Sequence, residues 1–169
     1  NNNWATSVTG ATSDFFTVGG WKLASGRVFS IQEERAGQSV CLLGATLHKE
    51  LYGGRLPLGE MLRVKKFSCE IIGVLQAKGQ AAMGRDQDDT LIMPLRTVQR
   101  RLTGSKDVSS IQVSVQNEND ITRVQGEIVE LLRDRRRLGD NKDDNFNVTD
   151  TRQIADALSG TTKVMTTLL

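Results

Sequence analysis

An α+β fold is predicted by three features of the chain: strand-length apolar runs closed by glycine or proline, short segments of helical spacing between them, and a change of rhythm after about residue 104. Residues 4–30 carry short apolar stretches separated by Gly10, Gly19-Gly20 and Gly26, a pattern of turns and short strands with one helical turn at Asp14-Phe15-Phe16. The polar stretch 31–37 reads as a short helix, Ser39 to Leu43 as a strand ending at Gly44, and Ala45 to Leu51 as a helix. Turns at Tyr52-Gly53-Gly54 and Pro57-Leu58-Gly59 lead into two strands, Met61 to Val64 and Phe67 to Leu75. The second is almost continuously apolar from Ile71, which predicts burial.

From Gln76 to Thr90 the residues are small and polar, without apolar period, and predict an exposed, mobile loop. Leu91 to Pro94 returns as a strand, Leu95 to Leu102 as a short helix, and Thr103-Gly104-Ser105-Lys106 breaks the composition. Ser110 to Val115 then alternates, with Ile111, Val113 and Val115 on one side, as a half-buried strand does. Asp120 stands where it can cap a helix whose Ile121, Val124, Ile128, Leu131 and Leu132 form one stripe, and Phe146-Asn147-Val148 reads as a second strand. Strand, helix and strand make a βαβ unit. Thr149, Asp150 and Thr151 offer caps for a final helix with Ile154, Leu158, Met165 and Leu168 along one face. That helix has no stop signal and grows more apolar toward Leu169, as if a parent protein continued it.

Composition narrows the function classes. The 169 residues are 38% hydrophobic and 25% charged, the profile of a folded globular domain. With 22 basic against 20 acidic residues the formal charge is +2, far from a nucleic-acid-binding surface. The one dense basic run, Arg133 with Arg135, Arg136 and Arg137, reads as a solvated helix end. No stretch of about 18 apolar residues spans a bilayer, and the opening Asn1-Asn2-Asn3 lacks the layout of a secretion signal. Cys41 and Cys69 each lie in a β-like apolar run, so a small buried side chain is the default for both, with a disulfide between them as the alternative.

Catalysis finds little support. A nucleophile needs a partner base, and the single histidine, His48, falls at a solvent-facing helix position. Neither a P-loop nor a dinucleotide fingerprint is present, so no cofactor is expected in this domain. Asp86, Asp88 and Asp89 could supply oxygens to calcium, but the glycine and distal glutamate of an EF-hand loop are missing, which favours a solvated loop.

Several motifs in one order carry a resemblance. They are Val8 to Phe16, Trp21-Lys22-Leu23 with Gly26-Arg27-Val28-Phe29, Val40 to Thr46, Leu51-Tyr52-Gly53, Pro57-Leu58-Gly59, and Ile72 to Leu75 with Lys78-Gly79. Most specific is Asp86-Gln87-Asp88-Asp89 leading into Leu91 to Leu95 and Thr97-Val98-Gln99-Arg100-Arg101-Leu102. Over about residues 5 to 169 the chain resembles the periplasmic core domain of MacB-type ABC transporter permeases.

The resemblance implies two lobes: a β-rich, inserted Sabre-like lobe at 7–104 and the C-terminal half of a Porter-like α/β lobe at 105–150. A stalk helix at 151–169 leads to a transmembrane span, with Ile154, Leu158, Met165 and Leu168 as its coupling face. It implies a location on the periplasmic side of the bacterial inner membrane, a homodimer in the intact transporter, and ATP with magnesium bound by a separate cytoplasmic domain. The implied partners are a membrane-fusion adaptor and, through it, a TolC-like outer-membrane channel. Gln80, Arg85, Gln87, Asp88 and Asp89 are the candidate adaptor-facing loop, because docking residues often lie on exposed polar loops. The alternatives are a lipoprotein-releasing or FtsX-like permease domain and, from another class, a stand-alone hydrolase.

Overall fold

The computed structural model describes residues 3–80, 86–139 and 142–151. They fall into two compact units, one up to Val113 and one from Ser114. The first is built on a six-stranded mixed sheet. Its elements, in order, are β1 (Ser7–Ala11), α1 (Phe15–Val18), β2 (Leu23–Gly26), α2 (Ile31–Ala36), β3 (Val40–Leu43), α3 (Ala45–Tyr52), β4 (Met61–Val64), β5 (Phe67–Leu75), β6 (Thr90–Pro94) and α4 (Leu95–Val98). A π-helical turn, Gln99–Thr103, continues α4.

Strand order is β1-β6-β3-β5-β2, with β4 also on β5. A strand has two edges, and β5 gives one to β3. Its nine residues share the other between β4, paired with 67–70, and β2, paired with 73–75. β1 runs parallel to β6, and β3 parallel to β5, while β3 and β6 are antiparallel. β5 therefore ends, and β6 begins, at the edge of the sheet where β3 hands over to α3.

Every residue of β3 and β6 is buried, which requires cover on both faces of the sheet. Side-chain alternation supplies two cores. Cys41, Leu43, Ile71, Leu91 and Met93 pack with Leu47 of α3 and Val98 of α4. Val40, Leu42, Ile72 and Ile92 pack on the other face with Phe16 of α1 and Phe29. Cys41 and Cys69 form a disulfide between β3 and β5, with 5.9 Å between the two Cα atoms, and both are fully buried. Burial and pairing, which the sequence left as alternatives, hold together.

The α2 helix shows how local chemistry fixes an element. Ser30 accepts the Glu33 N–H at 3.2 Å while Glu33 accepts the Ser30 N–H at 2.8 Å, a reciprocal capping box. Arg27 donates to both Glu33 oxygens at 2.8 Å. That guanidinium, with the Ser30 donors, holds the Glu33 carboxyl down at about 2, below its ordinary 4.5, against the opposing effect of desolvation.

The second unit contains a 3₁₀ turn, Glu118–Asp120, and α5 (Ile121–Arg135). The two strands expected beside this helix do not form among the described residues. Ile111 is 74% and Val113 54% exposed: alternation defines the face a strand would bury, but pairing needs a neighbouring edge. The expected βαβ unit is therefore represented by its helix. The segment 142–150 returns along α5 through side chains. Gln125 donates to the Val148 carbonyl at 3.0 Å, Arg133 pairs with Asp144, and the Arg136 guanidinium lies 5.5 Å from the Phe146 ring centroid. Two arginines of the run expected to be solvated thus hold this segment.

Asp120 does not cap α5. The preceding 3₁₀ turn has already put its backbone in helical conformation, so its carboxylate pairs with Arg123 at 3.2 Å instead. Asn117 accepts the Asn119 N–H at 3.0 Å and starts the turn. No helix among the described residues is long and apolar enough to cross a membrane.

Candidate functional site

The connection from β5 to β6 passes over the end of β3, and its described parts are fixed by the chain they cross. Gly44, between β3 and α3, donates its N–H to the Thr90 carbonyl at 2.9 Å. A Cβ on Gly44 would stand 2.1 Å from the Asp88 carbonyl oxygen, so only glycine lets the two backbones approach this closely.

Asp88 organises the base of the connection. It is only 4% exposed, which corrects its expected place on a solvated loop. Its carboxylate accepts the Lys78 N–H on Oδ1 and the Gly79 N–H on Oδ2, both at 2.8 Å. A buried carboxylate is tolerated only when donors replace its hydration, and these two amides do so. The Asp88 N–H donates to Asp86 Oδ1 at 2.8 Å, and Thr46 of α3 donates its hydroxyl to Asp86 Oδ2 at 2.8 Å. Gln80 bridges Asp86 in antiparallel fashion, and the Gln87 N–H reaches the Gly79 carbonyl at 3.3 Å.

A rim surrounds this clasp. The Trp4 indole N–H donates to Asp89 Oδ1 at 3.1 Å, and the Ser7 hydroxyl to the Asp89 carbonyl at 3.0 Å. Lys78 donates its ammonium to the Gly19 carbonyl at 2.7 Å and sits 4.4 Å from the centroid of the Trp21 ring, which stacks on Phe15. Sequence reasoning passed over Trp4 and named Trp21 and Lys78 only within motifs, not as site residues. Their signal was two tryptophans in a chain that is only 5% aromatic.

Of the loop candidates, the structure brings Gln80, Gln87, Asp88 and Asp89 together. Gln80 is exposed, Gln87 and Asp89 are half-buried, and Asp88 lies beneath them. Arg85 and the stalk candidates Ile154, Leu158, Met165 and Leu168 fall outside the described residues. His48 is half-buried: its Nε2 lies 2.8 Å from the Arg55 carbonyl, and its ring stacks near Tyr52, so it ties α3 to the following turn. The arrangement offers a fixed polar and aromatic rim for recognition. Both oxygens of Asp86 and of Asp88 are engaged by N–H or hydroxyl donors. Among the described residues, no group of three or more His, Cys, Asp or Glu side chains is placed to hold a metal ion.

Residues 1–131 match the family model described as MacB-like periplasmic core domain. The chain is 35% identical over 170 residues to the macrolide export ATP-binding/permease protein MacB of Bdellovibrio bacteriovorus, covering all of this chain and 26% of that protein. It is 33% identical over 169 residues to the protein of the same name from Chlorobium phaeobacteroides, covering all of this chain and 25% of that one. It thus spans about a quarter of the length of these curated relatives. Among solved structures, the periplasmic region of MacB from Actinobacillus actinomycetemcomitans superposes with a TM-score of 0.74 at 23% identity, over 90% of this chain and 64% of that one. The extracellular domain of the noncanonic ABC-type transporter YknZ from Gram-positive bacteria gives 0.64 at 21% identity, over 76% and 64%. With its six-stranded sheet and a family match across most of its length, this chain belongs to the MacB-like periplasmic core domain family.

Proposed function

We propose that this chain is the extracytoplasmic domain of a MacB-like ABC efflux transporter, on the periplasmic side of a bacterial inner membrane. It couples ATP hydrolysis in a separate cytoplasmic domain to substrate export through an adaptor and a TolC-like outer-membrane channel. The observation that carries this reading is the family match over residues 1–131, on a chain whose fold is that of a MacB periplasmic region. The buried Cys41–Cys69 disulfide supports it, because such bonds persist in oxidising compartments outside the cytoplasm.

In this reading the domain is not itself an enzyme and takes no cofactor; ATP and magnesium belong to the parent's cytoplasmic domain. Residues 7–104 are its Sabre-like lobe, 105–150 its part of the Porter-like lobe, and 151–169 the stalk that carries movement to the membrane in a homodimer. Gln80, Arg85, Gln87, Asp88 and Asp89 form the adaptor-facing loop, and the buried Asp88 supports it by holding the Lys78 and Gly79 amides.

Titration of the whole parent transporter in lipid discs with its cognate adaptor tests the surface. Replacing Gln87 and Asp89 together by Ala weakens adaptor binding at least roughly 10-fold, the scale of one to two interface contacts. Unchanged affinity removes this loop from the interface.

A further inference from the structure

The arginine-rich segment after β6 is not absorbed by the proposed coupling role. There α4 passes into the π-helical turn, whose closing bond runs from the Gly104 N–H to the Gln99 carbonyl at 2.9 Å. Such turns are rare and concentrate at functional sites, because one extra residue widens the helix and redirects its side chains. Gly104 then reverses the chain with φ of 69°, a left-handed conformation that suits glycine. Gln99 donates to the Lys106 carbonyl at 2.9 Å and closes the reversal into a small ring.

A cavity of about 570 Å³ opens against this ring, lined by Arg96, Gln99, Arg100, Gly104, Ser105 and Lys106. Three of these six are cations and none is an acid. Asp107, which accepts the Ser105 hydroxyl at 2.6 Å, is not part of the lining. Among the described residues, Arg96, Arg100 and Lys106 form no ion pair. Each arginine uses one Nη1 donor to hold the C-terminal carbonyls of α2: Arg96 on Arg35 at 2.7 Å, and Arg100 on Ala36 at 3.4 Å. These bonds fix two guanidinium groups at the wall of the cavity while most of their donors remain for another acceptor.

We propose that this cavity binds an anionic phosphate group, carried either by a free phosphorylated solute or by a phospholipid headgroup. Unneutralised cations that line one cavity repel one another, and an entering phosphate relieves that repulsion while accepting forked guanidinium bonds. The volume exceeds that of a bare phosphate and leaves room for the group that bears it.

Nuclear magnetic resonance titration of the full chain with inorganic pyrophosphate tests the site, using the amides of Gly104, Ser105 and Lys106 as reporters. Saturable shifts there, weakened roughly 5-fold in Lys106→Gln and by added salt, are expected. Lys106→Gln removes no bond to α2, so its fold is preserved. Lys66→Gln, in the β4–β5 turn and not part of the cavity lining, controls for bulk charge. Sedimentation with phosphatidylglycerol vesicles, against phosphatidylcholine vesicles, separates the sources: binding lost in Lys106→Gln assigns a lipid headgroup, and pyrophosphate binding without vesicle binding assigns a free phosphate. Neither probe binding, or an equal loss in Lys66→Gln, overturns the proposal.

Discussion

The carboxylate of Asp88 binds the backbone N–H of Gly79 at 2.8 Å from a position nine residues later in the chain, and with the Lys78 N–H this closes the base of the β5–β6 connection. Asp88→Ala takes the acceptor from two amides at the partly buried base of the connection. A loss of about 1 to 3 kcal/mol in unfolding free energy follows, the scale of hydrogen bonds to a charged group. Hydrogen exchange at the Lys78 and Gly79 amides accelerates in the variant; protection equal to the wild type would show that the clasp is dispensable.

Gly44 lies against the carbonyl of the same residue. Gly44→Ala puts a methyl group where the Asp88 oxygen stands, so β3 or the connection must shift, at a cost of more than about 2 kcal/mol. Thermal unfolding reads this directly. A transition unchanged from the wild type would mean that the two backbones separate freely.

The disulfide closes a span of 28 residues between neighbouring strands. Loop entropy assigns such a cross-link roughly 3 to 4 kcal/mol. The double replacement Cys41→Ala, Cys69→Ala lowers the denaturant midpoint accordingly, and reductant shifts the wild type but not the double variant. Equal sensitivity of both proteins to reductant would contradict the pairing.

Acid weakens α2 through Glu33, whose side chain is only 13% exposed. Its folded carboxyl titrates near 2, below the ordinary 4.5, so the folded state favours the ionised form. The stabilisation is fully present above about pH 4.5 and is lost as pH falls toward about 2. Glu33→Gln flattens this acid limb in denaturant melts at pH 7, 4 and 2.5. Parallel acid limbs in the two proteins would remove Glu33 from the effect.

How much the sequence could reveal depended on how local the cause was. Val40 to Leu43, Phe67 to Leu75 and Leu91 to Pro94 are strands, and Ala45 to Leu51 falls within α3, because apolar runs bounded by glycine or proline encode these elements over a few residues. The burial of Asp88 was not legible: a polar stretch with two glycines looks solvated until the sheet order carries it across the end of β3. The pairing of Cys41 with Cys69 depended on β3 and β5 being neighbours, which no spacing reveals. Ser110 to Val115 failed the other way, since its alternation encodes a face and not the edge it would need. Trp4 and Asp89 are 85 residues apart, and the parallel pairing of β1 with β6 brings them into contact.

The central claim is mechanical coupling, and export by the parent transporter measures it most directly. The transporter is reconstituted with its adaptor and channel, and export is compared with a variant in which residues 7–150 are replaced by a short Gly-Ser linker. The account predicts that ATP hydrolysis persists in the variant while adaptor binding and export are lost. Export at the wild-type rate per ATP hydrolysed would contradict it.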